Sequence, residues 1–388
     1  MSQFDVIHNR LNTNSVKWDS LVSTYGKEDL LPFWVADMDF QASPAISKAL
    51  NDYIKQGIYG YTLIPDSLYD AIITWQKKQH HYELTKEEIL FSPGVVPSLV
   101  TIIQALTNPG DALLIHDPVY HPFTDVIQNT ERQLILSNLI EEESLFKMDF
   151  DDMEEKIIKH QVKLFILCNP HNPGGRVWTR EELQRLGKLC QKHQVLVISD
   201  EIHQDLVFEP NTFSSFQTIA PNFKDFSIVV TSATKTFNLA GIKNSMIFVK
   251  NPLLRDKIQA IQAINYQAEI NTFGLIATEA AYNEGKEWLD ELLVYLKNNI
   301  DFTCDFLKAK LPQIKIMKPQ GTYLIWLDFS TYNLSDEALM AKLVDDAGVV
   351  VNPGISFGSK GTQHIRFNTA CPRALLVEGL EKIALAFR

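Results

Sequence analysis

Three short polar runs each follow an apolar, β-branched stretch. Asn169-Pro170-His171-Asn172-Pro173-Gly174-Gly175-Arg176 follows 163–168, Asp200-Glu201-Ile202-His203 follows 195–199, and Ser232-Ala233-Thr234-Lys235 follows 228–231. A carboxylate, an amine, an amide and an imidazole make a poor hydrophobic core but a good small-molecule site. Each has an ordinary explanation when taken alone. A lysine after a strand is usually solvated, an aspartate there often caps a helix, and Asn-Pro is usually a turn. Three in order, each behind a buried strand, predict convergence on one site. No metal centre is expected, because Asp200, Glu201 and His203 have no further His or Cys at ligand spacing.

The elements that must position these residues are legible in the apolar pattern. Runs 112–116, 133–137, 163–168, 195–199 and 228–231 read as buried strands, and helical stretches separate most of them. Thr179 with Glu182 three residues on has the form of a capping box, followed by Leu183, Leu186 and Leu189 or Cys190 on one helix face. This βαβ rhythm predicts an α/β fold whose mostly parallel sheet is covered on both faces, with its ligand site beyond the carboxyl ends of the strands. After about residue 285 the pattern changes. Trp288, Leu292, Leu296, Ile300 and Phe306 or Leu307 recur near helical period as far as Pro312. A strand-like run at 322–329 and a helix after Ser335, stopped by Gly348, complete a smaller α+β domain. The expected division is a large domain at 46–286 and a small one formed by 1–45 and 287–388. The segment through Phe40 shows little periodicity and is expected to pack on the small domain as an arm.

Composition removes several classes of function. In 388 residues, 45% are hydrophobic and 21% charged, which excludes a disordered chain. The balance of 36 basic against 47 acidic residues, net −11, disfavours nucleic acid and anionic membrane as partners. The four cysteines, at 168, 190, 304 and 371, are too sparse for a disulfide framework and fit a reducing cytoplasm. No apolar run has the form of a signal peptide or a membrane span. His80-His81 beside Lys77 and Lys78, and the acidic run Glu141 to Glu143, read as solvated faces.

With these residues in view, the chain resembles a fold-type I pyridoxal-phosphate (PLP) enzyme of the aspartate-aminotransferase superfamily, over nearly its whole length. The resemblance rests on 169–176, on Ser-Asp-Glu-Ile-His at 199–203, on Ser-Ala-Thr-Lys-Thr-Phe-Asn-Leu-Ala-Gly at 232–241 and on His-Ile-Arg-Phe-Asn at 364–368. Trp-Val-Ala-Asp-Met-Asp-Phe at 34–40, Gly-Val-Val-Pro at 94–97, Pro-Val-Tyr-His-Pro-Phe at 118–123 and Gly-Arg-Val-Trp at 175–178 resemble the carbon–sulfur lyase branch. That branch holds cystathionine β-lyases, a maltose-regulon modulator and PatB-like proteins. The resemblance implies a large PLP-binding domain with a mostly parallel seven-stranded sheet between helices.

It also implies roles. PLP acts as an electron sink when its aldehyde is held by an amine and its ring nitrogen stays protonated, so Lys235 and Asp200 take those positions, with Lys235 as proton-transfer base. Tyr120 stacks on the ring, Asn172 reaches the phenolic oxygen, and His203 stands beside the cofactor where many aminotransferases have tyrosine. Val95 and Val96, Ser232 and Lys243 surround the phosphate, Lys243 replacing an arginine common in aminotransferases and lacking its planar fork. Arg366, with Asn172, holds the substrate carboxylate. Tyr61 reaches the phosphate of a neighbouring subunit, implying a homodimer with shared active sites. The implied reaction is β-elimination of L-cystathionine, and of cystine or other cysteine S-conjugates, to a thiol, pyruvate and ammonia. Transamination is the alternative, and binding of a transcriptional activator a second one.

Overall fold

A computed structural model describes residues 2–268 and 270–388. Seven strands form the main sheet: β1 (Ile89–Ser92), β2 (Ala112–Asp117), β3 (Gln133–Asn138), β4 (Leu164–Cys168), β5 (Leu196–Asp200), β6 (Ser227–Thr231) and β7 (Ser245–Phe248). Their order is β1-β7-β6-β5-β4-β2-β3. Only β7 runs antiparallel to its neighbours; the other pairings are parallel. This is the mostly parallel α/β sheet the alternating pattern predicts.

Burial on both faces explains why these strands are so uniformly apolar. Leu113 and Ile115 of β2 pack in one cluster with Leu99, Ile102, Phe123, Ile166 and Ile198. Leu114, between them, packs in another with Phe165, Leu167, Val197, Trp178 and Leu183. Successive side chains point to opposite faces, so a strand covered on both sides has no polar alternation to show. The expected boundaries hold to within a residue. At β5 the ladder with β4 continues through the pair Cys168 and Asp200, so Asp200 ends the strand rather than following it.

The helices used below are α1 (Val16–Tyr25), α2 (Asp66–His80), α3 (Val95–Leu106), α4 (Arg180–Lys192) and α5 (Lys286–Lys310). Helix α4 starts with the expected box: Thr179 accepts from Glu182 N at 3.2 Å and Glu182 Oε2 accepts from Thr179 N at 2.8 Å. Helix α5 buries Trp288, Leu292, Leu296, Ile300 and Leu307, the residues that carry the long period.

A second sheet combines β8 (Lys315–Met317), β9 (Leu324–Asp328), β10 (Asn352–Pro353) and β11 (His364–Asn368), all antiparallel, in the order β8-β9-β11-β10. The helix after Ser335 begins and stops where expected, but its second half changes type. It runs Asp336–Ala341, widens into a π turn at Lys342–Asp346, and Gly348 follows in a left-handed conformation. The N-terminal segment is more ordered than its weak periodicity suggests. It contains α1, and Leu31–Pro32 pairs in parallel with Val349–Val350. Among the described residues, no helix is long and apolar enough to cross a membrane. The four cysteines are buried and free.

Candidate active site

Parallel strands β4, β5 and β6 are adjacent, so their carboxyl ends deliver Asn169–Arg176, Asp200–His203 and Ser232–Lys235 side by side. Beyond them lies a cavity of about 630 Å³ lined by Val95, Val96, Tyr120, Asn172, Asp200, His203, Lys235, Lys243 and Arg366, among others. Nine of the predicted residues are thus brought together. The second sheet supplies the last of these, since Arg366 lies on β11 between β9 and β10, opposite Trp326 and Asn352.

Lys235 stands in the short helical turn Ala233–Thr236 directly after β6. Ser232 caps this turn by accepting from Thr234 N at 3.1 Å. Lys235 is half-buried, and loss of hydration first, then the positive charge of Arg366, lower its pKa to about 8. Its Nζ donates to the Ala36 carbonyl at 2.6 Å. Tyr323 OH donates to the same oxygen at 2.9 Å. Asp200 is raised to about 7 by burial, opposed by a bond from Ile202 N and by Lys235. An amine close to neutrality beside a carboxylate with no ion-pair partner among the described residues makes a site able to hold or move a proton.

Arg366 is buried and organises the opposite wall. It donates to Asn172 Oδ1 at 3.0 Å, Asn352 Oδ1 at 2.6 Å and the Trp34 carbonyl at 2.9 Å, and its guanidinium lies 4.8 Å from the Phe357 ring centroid. Its Nε is buried without a partner among the described residues. Burial also pushes His203 well below the usual imidazole range, so its ring is neutral, edge-on to Tyr323. The amino end of α3 faces the same cavity through Gly94, Val95 and Val96. The first backbone N–H groups of a helix have no intrahelical acceptor and favour an anion.

Two predicted residues stand outside this constellation. Ser232 does not line the cavity; its hydroxyl donates to the Asn244 carbonyl at 2.5 Å, because capping its own turn directs it into the wall. Tyr61 is fully exposed and away from the cavity of its own chain. One background assignment is corrected: the His80 side chain is only 6% exposed, since it turns inward to Asp205, while His81 is exposed as expected. The Glu141–Glu143 run lies on an exposed hairpin.

Sequence reasoning missed Tyr323, Asn352, Thr234 and the carbonyls of Trp34 and Ala36. Tyr323 and Asn352 sit in or beside apolar strands and read as framework. The carbonyls have no side-chain signal at all, although the 34–40 motif marked their segment.

A family model described as aminotransferase class I and II matches residues 28–383. Cystathionine beta-lyase PatB of Bacillus subtilis (strain 168) is 42% identical over 383 residues, covering 99% of each chain. The PLP-bound C-S lyase from Staphylococcus hominis superposes with a TM-score of 0.94 at 33% identity, covering 100% of this chain and 98% of its own. Cystalysin from Treponema denticola, whose structure contains pyridoxal 5'-phosphate, gives a TM-score of 0.96 at 32% identity with the same coverage. The match spans both sheets and every wall of the cavity, and the chain belongs to the aminotransferase class I and II family.

Proposed function

We propose that the protein is a PLP-dependent carbon–sulfur β-lyase acting on L-cystathionine, and on cystine or other cysteine S-conjugates, releasing a thiol, pyruvate and ammonia. The observation that carries this reading is the single cavity joining Lys235, Asp200, Asn172 and Arg366 to the free N–H groups of a helix start. The names of the relatives point the same way.

The donor set fits PLP. Asp200 is a buried carboxylate without a cation and suits a protonated ring nitrogen; Lys235 offers the amine, Tyr120 a ring face, and Asn172 an amide. Val95 N, Val96 N and Lys243 suit the phosphate, and Ser232 joins them only if its hydroxyl turns from Asn244. When bound, PLP supplies an aldehyde that condenses with amines and a ring that draws electron density from the substrate α-carbon.

The residues of this chain do the rest. Arg366 and Asn172 hold the α-carboxylate, a planar fork and an amide fixing the α-carbon near Lys235. Lys235 Nζ, its pKa lowered to about 8 chiefly by loss of hydration, accepts the α-proton in its unprotonated form. The electron pair of that bond forms the α,β double bond while the Cβ–S pair leaves on sulfur as thiolate. The enamine that remains hydrolyses in water to pyruvate and ammonia.

In this reading residues 46–286 hold the cofactor, while 1–45 and 287–388 supply Arg366 and the segment from Trp34 to Phe40. A second copy covers the exposed apolar stretch Ile58, Tyr59, Tyr61 and Leu63 and receives Tyr61 at its own site. Four buried free thiols suit a reducing cytoplasm.

The test is pyruvate release from L-cystathionine by protein loaded with PLP, without added keto acid, with Lys235→Ala as control. Release that vanishes in the variant is the expected result. Turnover only when a keto acid is supplied would establish transamination instead.

A further inference from the structure

We infer that Asp205 is a positioning residue for Lys235, a role that rests on the lysine reading above. Asp205 lies five residues after Asp200, and its side chain is 2% exposed. Its carboxylate ties together three segments. Oδ1 accepts from Trp75 Nε1 at 3.0 Å and from His80 Nε2 at 2.8 Å, both on α2. Oδ2 accepts from Thr236 Oγ1 at 2.8 Å, on the turn that carries Lys235. The next residue, Phe237, is buried against Trp75 and Trp288, so the turn is also held by packing.

The chemistry of the hub explains why it is a carboxylate. Three donors converge on two oxygens, and only an ionised Asp or Glu presents acceptors at both positions. An amide at 205 would turn an N–H₂ toward a hydroxyl, an indole N–H or an imidazole N–H. Thr236 can rotate its hydroxyl to accept instead, but Trp75 can only donate. The loop after Asp200 and the turn bearing Lys235 are therefore registered to each other through one buried side chain. That register sets where the Lys235 amine enters the cavity relative to Asp200. Asp205 touches neither cavity nor substrate, so its effect passes through Thr236.

The experiment compares Thr236→Val, which removes the hydroxyl at constant shape, with Thr236→Ser, which keeps it, and with Asp205→Asn. Each protein is prepared without cofactor and mixed with PLP, and the growth of the lysine-linked visible absorbance and the dichroism of the bound cofactor are followed. Steady-state pyruvate release is then measured with L-cystathionine. A displacement of the amine by about 1 Å can cost roughly 100-fold in rate. The expected result is a kcat lower by about 10- to 100-fold in Thr236→Val, which loses the link, and by a smaller factor in Asp205→Asn, whose amide can still donate to the Thr236 hydroxyl, with KM within about twofold. Loading is slower and the dichroism altered in both, and Thr236→Ser restores wild-type behaviour. Wild-type loading, dichroism and kcat in Thr236→Val would overturn the inference, even if its melting temperature fell. Failure of the parent protein to form the visible absorbance would defeat the lysine reading itself, and this inference with it.

Discussion

Arg366→Lys separates a carboxylate clamp from a mere positive charge. Arg366 reaches Asn172, Asn352 and the Trp34 carbonyl from one planar group, which fixes the plane in which a bound carboxylate is met. A lysine there keeps a positive charge but acts as a point donor and cannot pair with both carboxylate oxygens in a fixed plane. Losing one hydrogen bond to a charged group costs about 1.5–3 kcal/mol. At 1.36 kcal/mol per factor of ten, kcat/KM for L-cystathionine should fall about 10- to 150-fold. The carboxylate is held before and during the reaction, so the loss should appear mainly as a higher KM with kcat little changed. The assay is the initial rate of pyruvate release across a range of L-cystathionine concentrations. Denaturant midpoints measured alongside keep lost folding from being read as lost binding. A kcat/KM within threefold of the parent, or a loss confined to kcat, would refute the clamp.

Stability of the cofactor-free protein should depend on pH in a defined direction. Burial raises Asp200 and Glu201 to about 7, from 3.8 and 4.5. Between those values the folded chain binds more protons than the unfolded one, so stability present at low pH is lost as pH rises through about 7. Lys235, lowered to about 8, acts later, and stability should recover between about 8 and its unfolded value of 10.5. Urea midpoints across pH 4–10 measure this, and Asp200→Asn should flatten the descent; an unchanged profile in that variant would exclude Asp200 as its source. Gly358→Ala tests a junction between the sheets. Gly358 has φ +134°, and a Cβ there would collide with Asp117 Oδ1, which shares a carboxylate with the Oδ2 that accepts from Ser359 N and Oγ. A loss of at least about 1–3 kcal/mol is expected by chemical denaturation, and an alanine variant as stable as the parent would contradict the tight contact.

What was legible in the chain follows from how parallel sheets present their ends. Asp200, Asn172 and Lys235 each stand within four residues of an apolar run, and parallel pairing of those runs is enough to bring them together. Arg366 is harder, because its strand belongs to the second sheet and only the docking of that sheet brings it to the cavity; the family resemblance, not spacing, identified it. Side-chain direction is harder still. Ser232 stands three residues before Lys235 as expected, yet whether its hydroxyl serves the cavity or the wall depends on the competing Asn244 carbonyl. The lysine neighbours of His80 predict a solvated ring, whereas its environment is decided by Asp205, 125 residues away.

The segment from Trp34 to Phe40 shows why part of the site is silent in the sequence. Its carbonyls hold the two principal cations of the cavity, Trp34 O accepting from Arg366 and Ala36 O from Lys235. Any residue offers a carbonyl, so the position of these acceptors depends on the backbone path and not on the side chains at 34 and 36. The path is held from outside: Asn368 donates to the carbonyls of Val35 and Asp37, Asn238 to those of Met38 and Phe40, and Arg10 and Lys17 pair with Asp37 and Asp39. Lys17 is nearly fully buried in this cluster, where an uncompensated charge would be costly. The residues that set these acceptors are thus an N-terminal arginine and lysine, two aspartates, Asn238 just past the Lys235 turn and Asn368 at the end of β11. Their purpose becomes visible only when the carbonyls between them are seen facing Arg366 and Lys235.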